Sequence, residues 1–381
     1  MDEKFLLMSP GPTEVDPRVI RAMLRSAIHH YDSQFIDIYD ETEELLRKIF
    51  QTNNDIIMFP GSGRSGIESS VLTFIDPGEK VLAITTGTFG NWFIEILRIH
   101  GANLTILSYP QGKHFECNEI KHILEEDKNI SSIVIVHNET STGAIYSEEV
   151  KQIGRIAKDY DKLFLVDAIS SMGGANVPVD EWNIDVCITS SQKAIGGLLG
   201  LSIVSVSEKA WQKAIKRPSL RSFSYDLIKW KKTWIKKERG GLLLKGRRSF
   251  PVLPPTHLIY ALNEATKIIL EEGLENRFKR HEEVAKEMRN AIKNLGLEIY
   301  PEESVASPTV TAFKVPNGLI GKQIRQKLRD EHNIIVAGGM DELSEKIIRI
   351  GHMGYTANIN FIKRTAIALE NVLYKLNYKK V

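Results

Sequence analysis

Cysteine is scarce in this chain. Only two, Cys117 and Cys187, occur among 381 residues, and they lie far apart. That spacing excludes a disulfide framework and a cysteine-based zinc site. Cys187 falls in an apolar run and reads as a small core residue. Charge of one sign is also lacking: the formal net charge is +2 at pH 7, which creates no large electrostatic demand for nucleic acid. No apolar run approaches the ~20 residues that a membrane span needs. Met1-Asp2-Glu3-Lys4, followed by the short run Phe5-Leu6-Leu7-Met8, does not have the pattern of a secretory signal. Internal repeats and low-complexity segments are absent as well. These absences lead to the expectation of a cytoplasmic protein without nucleic-acid or membrane partners.

What is present is an ordinary globular composition, 42% hydrophobic and 26% charged. The length is too great for one simple core and predicts two domains. Basic residues cluster at Lys229-Trp230-Lys231-Lys232 and Lys245-Gly246-Arg247-Arg248, which read as a solvated or anion-facing loop.

The chain opens with Ser9-Pro10-Gly11-Pro12, an extended and rigid segment that is either a linker or a clamp offering backbone groups to a ligand. Helical periodicity then covers 18–26 and 35–50. From residue 56 strands and helices alternate. Strands are expected at 56–59, 80–85, 104–107, 131–137, 162–167, 184–189 and 201–206, with helices at 67–75, 89–100, 119–126 and 148–160. Such alternation predicts a mostly parallel sheet flanked by helices, an α/β fold. No element is expected between residue 206 and the prolines near 251–255. A long helical region follows over 256–295, with a break at Gly273, and then a compact α+β unit. The expected division is 1–17 as an N-terminal extended segment, 18–255 as a large domain and 256–381 as a smaller α+β C-terminal domain.

Lys193 follows the apolar run Ile184-Asp185-Val186-Cys187-Ile188-Thr189 and precedes Gly196-Gly197. It could be a phosphate contact, a surface residue or a nucleophilic amine. A second apolar run, Leu163-Phe164-Leu165-Val166, ends in Asp167, and a carboxylate there needs a cationic or hydrogen-bonding partner. Pyridoxal phosphate requires such a pair: the lysine forms the Schiff base, and the aspartate keeps the pyridine nitrogen protonated so that the ring draws electrons. Pro60-Gly61-Ser62-Gly63-Arg64-Ser65-Gly66 is a small-residue loop opening a helix, suited to a phosphate. Phe89, set between Gly87 and Gly90, can stack on a flat ring or serve as a core residue. Arg349 sits on the apolar strand Ile347-Ile348-Arg349-Ile350, where it requires an anion, either a substrate carboxylate or a structural partner. In parallel sheets ligands lie outside the carboxyl ends of the strands. The glycine loop, Phe89, Thr140, Asp167 and Lys193 all follow strands, so they fall on one edge.

Several motifs occur together in order: Pro10-Gly11-Pro12, Gly61-Ser62-Gly63, Glu139-Thr140-Ser141-Thr142-Gly143, Val166-Asp167-Ala168, Ser191-Gln192-Lys193-Ala194 and Arg349-Ile350-Gly351-His352-Met353-Gly354. With them the chain resembles the class V, fold-type I pyridoxal-phosphate aminotransferases, in the branch of alanine–glyoxylate and serine–pyruvate aminotransferases. The resemblance implies that Lys193 binds pyridoxal 5'-phosphate and shuttles the proton, and that Asp167 pairs with the ring nitrogen. It implies that Phe89 and Ile169 cover the two ring faces and that Thr140 lies near the ring hydroxyl. Ser62, Gly63, Arg64 and Gln192 would hold the phosphate, and Arg349, assisted by backbone near Gly11, would grip the substrate carboxylate.

The resemblance further implies a homodimer with its active site at the interface. In relatives a tyrosine and a threonine of the other subunit complete the phosphate site; the aligned residues here are Phe250 and Leu253, which have no side-chain donor. Ser249, Thr256 or Arg247 are the substitutes nearby. The implied activity is ping-pong transamination from serine or alanine to glyoxylate or pyruvate, with small amino acids and 2-oxo acids as partners. The nearest rival is ureidoglycine–glyoxylate transamination, which Arg64-Ser65-Gly66-Ile67-Glu68 resembles; against it, His30 stands where that branch carries glutamine. A cysteine desulfurase needs a mobile catalytic cysteine, and neither Cys117 nor Cys187 is so placed.

Overall fold

The computed structural model describes residues 5–217, 219–244 and 246–379. Met1-Asp2-Glu3-Lys4 and Lys245 of the second basic cluster lie outside the described residues. A seven-stranded sheet forms the centre, in the order Asp55–Pro60, Leu201–Val206, Val186–Ser190, Leu163–Asp167, Ile130–Val136, Lys80–Thr85 and Asn103–Ser108. Leu201–Val206 runs antiparallel to both of its neighbours. The other pairings are parallel. Four of the five inner strands are near-continuous apolar runs because helices cover both faces: from Val81 to Ile84, Ile133 to Val136, Leu163 to Val166 and Val186 to Ile188, no residue is more than 2% exposed.

Two stretches depart from the sequence reading. The helix expected from residue 67 spans Gly63–Phe74, so most of the small-residue loop is its first turn. Gly66 N donates to Ser62 O at 3.2 Å, and Ser62 N donates to Ser65 Oγ at 3.2 Å, closing that turn. The glycines are there for contact: a Cβ on Gly63 would sit 2.4 Å from Ile169 Cδ1, and one on Gly66 would sit 2.8 Å from Ile188 Cγ2. Packing on the sheet edge overrides glycine's poor helix propensity.

The stretch after residue 206, where no element is expected, forms the helices Glu208–Ile215 and Ile228–Thr233. They bury Trp211, Trp230 and, just beyond, Trp234. Nor is the first basic cluster wholly a solvated loop. Lys231 is 1% exposed and its Nζ lies 3.0 Å from Asp55 Oδ2, which also accepts from Trp211 Nε1 at 2.9 Å. In the second cluster, Arg248 grips Asp40 through two bonds and covers the Trp234 ring. Removing Asp55 would leave the buried Lys231 only the more distant and exposed Glu208 carboxylate, 3.5 Å away. Asp55→Ala is therefore expected to destabilise the fold by about 3–5 kcal/mol, measured by urea unfolding. Adding Lys231→Met should recover part of that loss.

The helix Thr256–Glu272 ends at Gly273 (φ +81°), and Leu274–Asn294 follows directly. Ile259, Tyr260, Leu262 and Ile269 of the first helix belong to the core around the large sheet. A second core gathers Val284, Met288 and Ile292 with Phe313, Ile348, Ile350, Leu369 and Val372. It covers a three-stranded sheet, Val310–Lys314, Ile347–Gly351 and Ala337–Gly338. Leu6 and Met8 join this second core, and Leu6–Leu7 pairs in parallel with Ile334–Ile335. The larger core thus takes in residues of Thr256–Glu272, and the N-terminal segment is stitched to the smaller one. Gly351 makes the stitch possible, because a Cβ there would lie 2.1 Å from Ser9 O. Among the described residues no helix is long and apolar enough to cross a membrane.

Candidate active site

A cavity of about 390 Å³ lies at the carboxyl edge of the large sheet. Gly11, Ser62, Gly63, Arg64, Phe89, Thr140, Asp167, Ile169, Gln192 and Lys193 all line it. These are the residues singled out in the sequence, with the exception of Arg349. Trp92, Asn138, Ser170 and Leu199 line it too and were not singled out. Trp92 was findable in principle, three residues after Phe89 on the same helix face. Its ring meets Phe89 edge-on at 5.0 Å and carries the Arg64 guanidinium 4.9 Å above it.

Lys193 Nζ donates to Pro10 O at 2.6 Å. The approach is close enough to demand glycine at position 11, where φ is +121° and a Cβ would fall 2.3 Å from Nζ. Burial pushes the amine down to about 8, with the charges of Arg349 and Arg64 adding and Asp167 opposing. Asp167 is 4% exposed; its Oδ1 accepts from Ile169 N at 2.8 Å, and it makes no ion pair among the described residues. Burial pushes its carboxyl up to about 7, against the Ile169 N–H and the Lys193 charge. Such a carboxylate is receptive to a cation brought by a ligand.

Phe89 is set by a residue whose part the sequence did not reveal. Glu139 is fully buried, and its Oε2 accepts from Phe89 N and Gly90 N at 3.1 Å each. It anchors the start of the helix Thr88–Ile99, where backbone N–H groups are otherwise unpaired. Gly87 gives it room, since a Cβ there would lie 2.7 Å from Glu139 Cγ. Burial raises the Glu139 carboxyl above its ordinary value, against the N–H and hydroxyl groups that bond it.

Arg349 does not line the cavity. Its Nε donates to Gly338 O at 2.7 Å and its Nη1 to Thr140 O at 2.9 Å, and it has no ion pair among the described residues. Burial lowers it to about 10, opposed by the Glu139 charge. Phe250 is 6% exposed and stacks on Trp234 within its own chain, at 3.5 Å between centroids, whereas Leu253 is 62% exposed. Ser249 Oγ lies 3.2 Å from the Tyr31 hydroxyl, which also accepts from Phe250 N. Both cysteines are buried, with thiols pushed up by desolvation.

The Aminotransferase class-V family matches residues 5–351. An uncharacterized aminotransferase of Methanocaldococcus jannaschii is 40% identical over 351 residues, 92% of this chain and 88% of that protein. The crystal structure of ureidoglycine–glyoxylate aminotransferase from Bacillus subtilis superposes with a TM-score of 0.92 at 33% identity, covering 99% of this chain and 95% of that one. Alanine–glyoxylate aminotransferase from Nostoc sp. does so with a TM-score of 0.91 at 32% identity, covering 98% and 96%. By fold, by motif and by likeness over nearly its whole length, the chain belongs to the class V aminotransferases, fold-type I enzymes that use pyridoxal 5'-phosphate to exchange amino groups between amino acids and 2-oxo acids.

Proposed function

We propose that this enzyme moves the amino group of serine or alanine to glyoxylate or pyruvate, and that Lys193 and Asp167 carry the chemistry. The observation behind this reading is that an amine lowered to about 8 and a carboxyl raised to about 7, with no ion pair among the described residues, line one cavity. The residues present fit the cofactor. Gln192 Oε1 and Asn138 Oδ1, on residues that line the cavity, are buried without a protein partner among the described residues. The first turn of Gly63–Phe74 opens at the same cavity and offers free N–H groups to a phosphate.

Ser62, Gly63, Arg64 and Gln192 would hold the phosphate. Phe89 and Ile169 would enclose the ring, Thr140 would sit by its hydroxyl, and Asp167 would face its nitrogen. Once the substrate's amino group has replaced the Lys193 amine on it, the cofactor would supply an electron sink for the charge left at the α-carbon. The Lys193 Nζ so released would accept the α-proton and return it. The Pro10 carbonyl orients Nζ. Arg349, with backbone near Gly11, would take the substrate carboxylate.

Arg349→Ala removes a charge-assisted pair worth about 3 kcal/mol, which corresponds to a rise on the order of 100-fold in KM. That rise should apply to donor and acceptor alike, while cofactor affinity changes little. An unchanged KM would remove Arg349 from the substrate site. The enzyme is further proposed to be a homodimer with its active site at the interface. Leu199, which lines the cavity, and Leu253 are 54% and 62% exposed and would find cover there.

The decisive measurement is a donor panel of serine, alanine and ureidoglycine against glyoxylate and pyruvate. Parallel double-reciprocal lines with serine or alanine support the proposal. A strong preference for ureidoglycine, the donor named for the Bacillus subtilis relative, would replace it with the rival reading.

A further inference from the structure

The helix Leu274–Asn294 carries Arg277, Arg280 and His281 near its start, and none of the roles above uses them. Arg277 is 3% exposed, and its guanidinium is fully engaged. Its Nε donates to Gly173 O at 2.6 Å, its Nη2 to Ala194 O at 2.8 Å and its Nη1 to Glu272 Oε2 at 2.9 Å. Gly173 lies in the loop after the Asp167 strand, and Ala194 is the residue after Lys193.

Arg280, one turn further on, reaches the other unit. Its Nη1 donates to Gly354 O at 3.2 Å and also to Ala357 O, in the segment that follows the Arg349 strand. Glu272 accepts from Arg280 as well, Oε1 from Nε at 2.5 Å and Oε2 from Nη2 at 2.9 Å, so one carboxylate holds both guanidinium groups. His281 closes the cluster: Nδ1 lies 2.7 Å from Arg277 O, and Nε2 accepts from Gly354 N at 3.0 Å. The two loops touch, since a Cβ on Gly354 would lie 3.5 Å from Ala194 O. A buried guanidinium spent on backbone carbonyls is a poor source of stability compared with apolar packing, but it fixes carbonyl positions tightly.

We propose that Arg277 and Arg280 are positioning residues with divided tasks. Arg277 sets the place of the Lys193 amine through Ala194 O, Arg280 sets the place of Arg349 through Gly354 and Ala357, and Glu272 keeps the two at a fixed spacing. This rests on the roles given above to Lys193 and Arg349.

Arg277→Lys retains the charge but cannot reach both carbonyls and Glu272 together. A misplacement of about 1 Å at a reacting group costs on the order of 100-fold in rate. Arg277→Lys is therefore expected to lower kcat by about 10- to 100-fold with KM within about twofold. Its cofactor-free form should also take up pyridoxal phosphate into the visible band about tenfold more slowly. Arg280→Met is expected to raise KM for the amino acid about tenfold, with kcat and the rate of band formation within about twofold.

Any other division of effects between the two variants overturns the proposal, including proportional losses in both or wild-type behaviour in both. If Arg277→Lys does not fold, Arg280→Met decides alone: a KM effect without a kcat effect supports the proposal, and a kcat effect of equal size overturns it. Lys193→Ala serves as the control. If it remains active, the functional reading itself fails; if it is inactive and the split is missing, only this inference fails.

Discussion

Lys193→Ala is expected to lower transamination by at least on the order of 10⁴-fold, the upper range for a positioned acid–base group. Among the described residues no other lysine lines the cavity. The fold should survive, because Nζ itself makes one bond, to Pro10 O. Stopped-flow spectra with the amino donor will report the loss directly. The wild-type protein loaded with cofactor should show a visible band that borohydride fixes onto the peptide containing Lys193, and the variant should yield no such peptide. Activity near that of the wild type would reject the assignment of the amine.

Asp167→Asn should have the second largest effect, on the order of 10²–10³-fold in kcat, the scale for removing one preorganised group that stabilises developing charge. It should also change the pH dependence of folding, with a sign that follows from the direction of the shift. In the cofactor-free protein the carboxyl is raised from 3.8 to about 7. The folded state therefore keeps a proton that the unfolded state has released. Its contribution is fully present below pH 3.8 and is lost as pH rises through about 7. Lys193 is lowered from 10.5 to about 8, so its contribution is present above pH 10.5 and is lost as pH falls through about 8. The two slopes occupy separate windows. The difference in unfolding free energy between wild type and Asp167→Asn should vary between pH 4 and 7, and should level off when the cofactor supplies the missing cation. A flat difference across that window would show that the carboxyl is not held protonated by burial.

Most of the architecture was legible in the sequence because strands covered on both faces are written as apolar runs, and helices between them as periodic ones. Asp167 and Lys193 were legible for the same reason. A polar residue at the end of an apolar strand in a parallel sheet has only one edge to occupy. The helix break at Gly273 was a matter of local backbone chemistry. Other features depended on contacts between residues far apart in the chain. Gly63 to Gly66 read as a loop, because nothing nearby announces that Ile169 and Ile188 will press against them. The helices carrying Trp211 and Trp230 were hidden by lysines whose charges are absorbed inside the protein, Lys231 on Asp55.

The same division holds in the site. Sequence alone determined that an amine and a carboxylate would share the ligand-binding edge of a parallel sheet, since strand direction and side-chain burial are local properties. Tertiary structure alone decided that the Pro10 carbonyl would accept a hydrogen bond from Lys193, that Glu139 would hold Phe89, and that Arg277 and Arg280 would tie the lysine loop to the arginine strand. Glu139 and Phe89 meet at one edge of the large sheet, from loops 50 residues apart in the chain; the other partners meet only when two separately built cores close on one another, and no local pattern of residues encodes how such surfaces register.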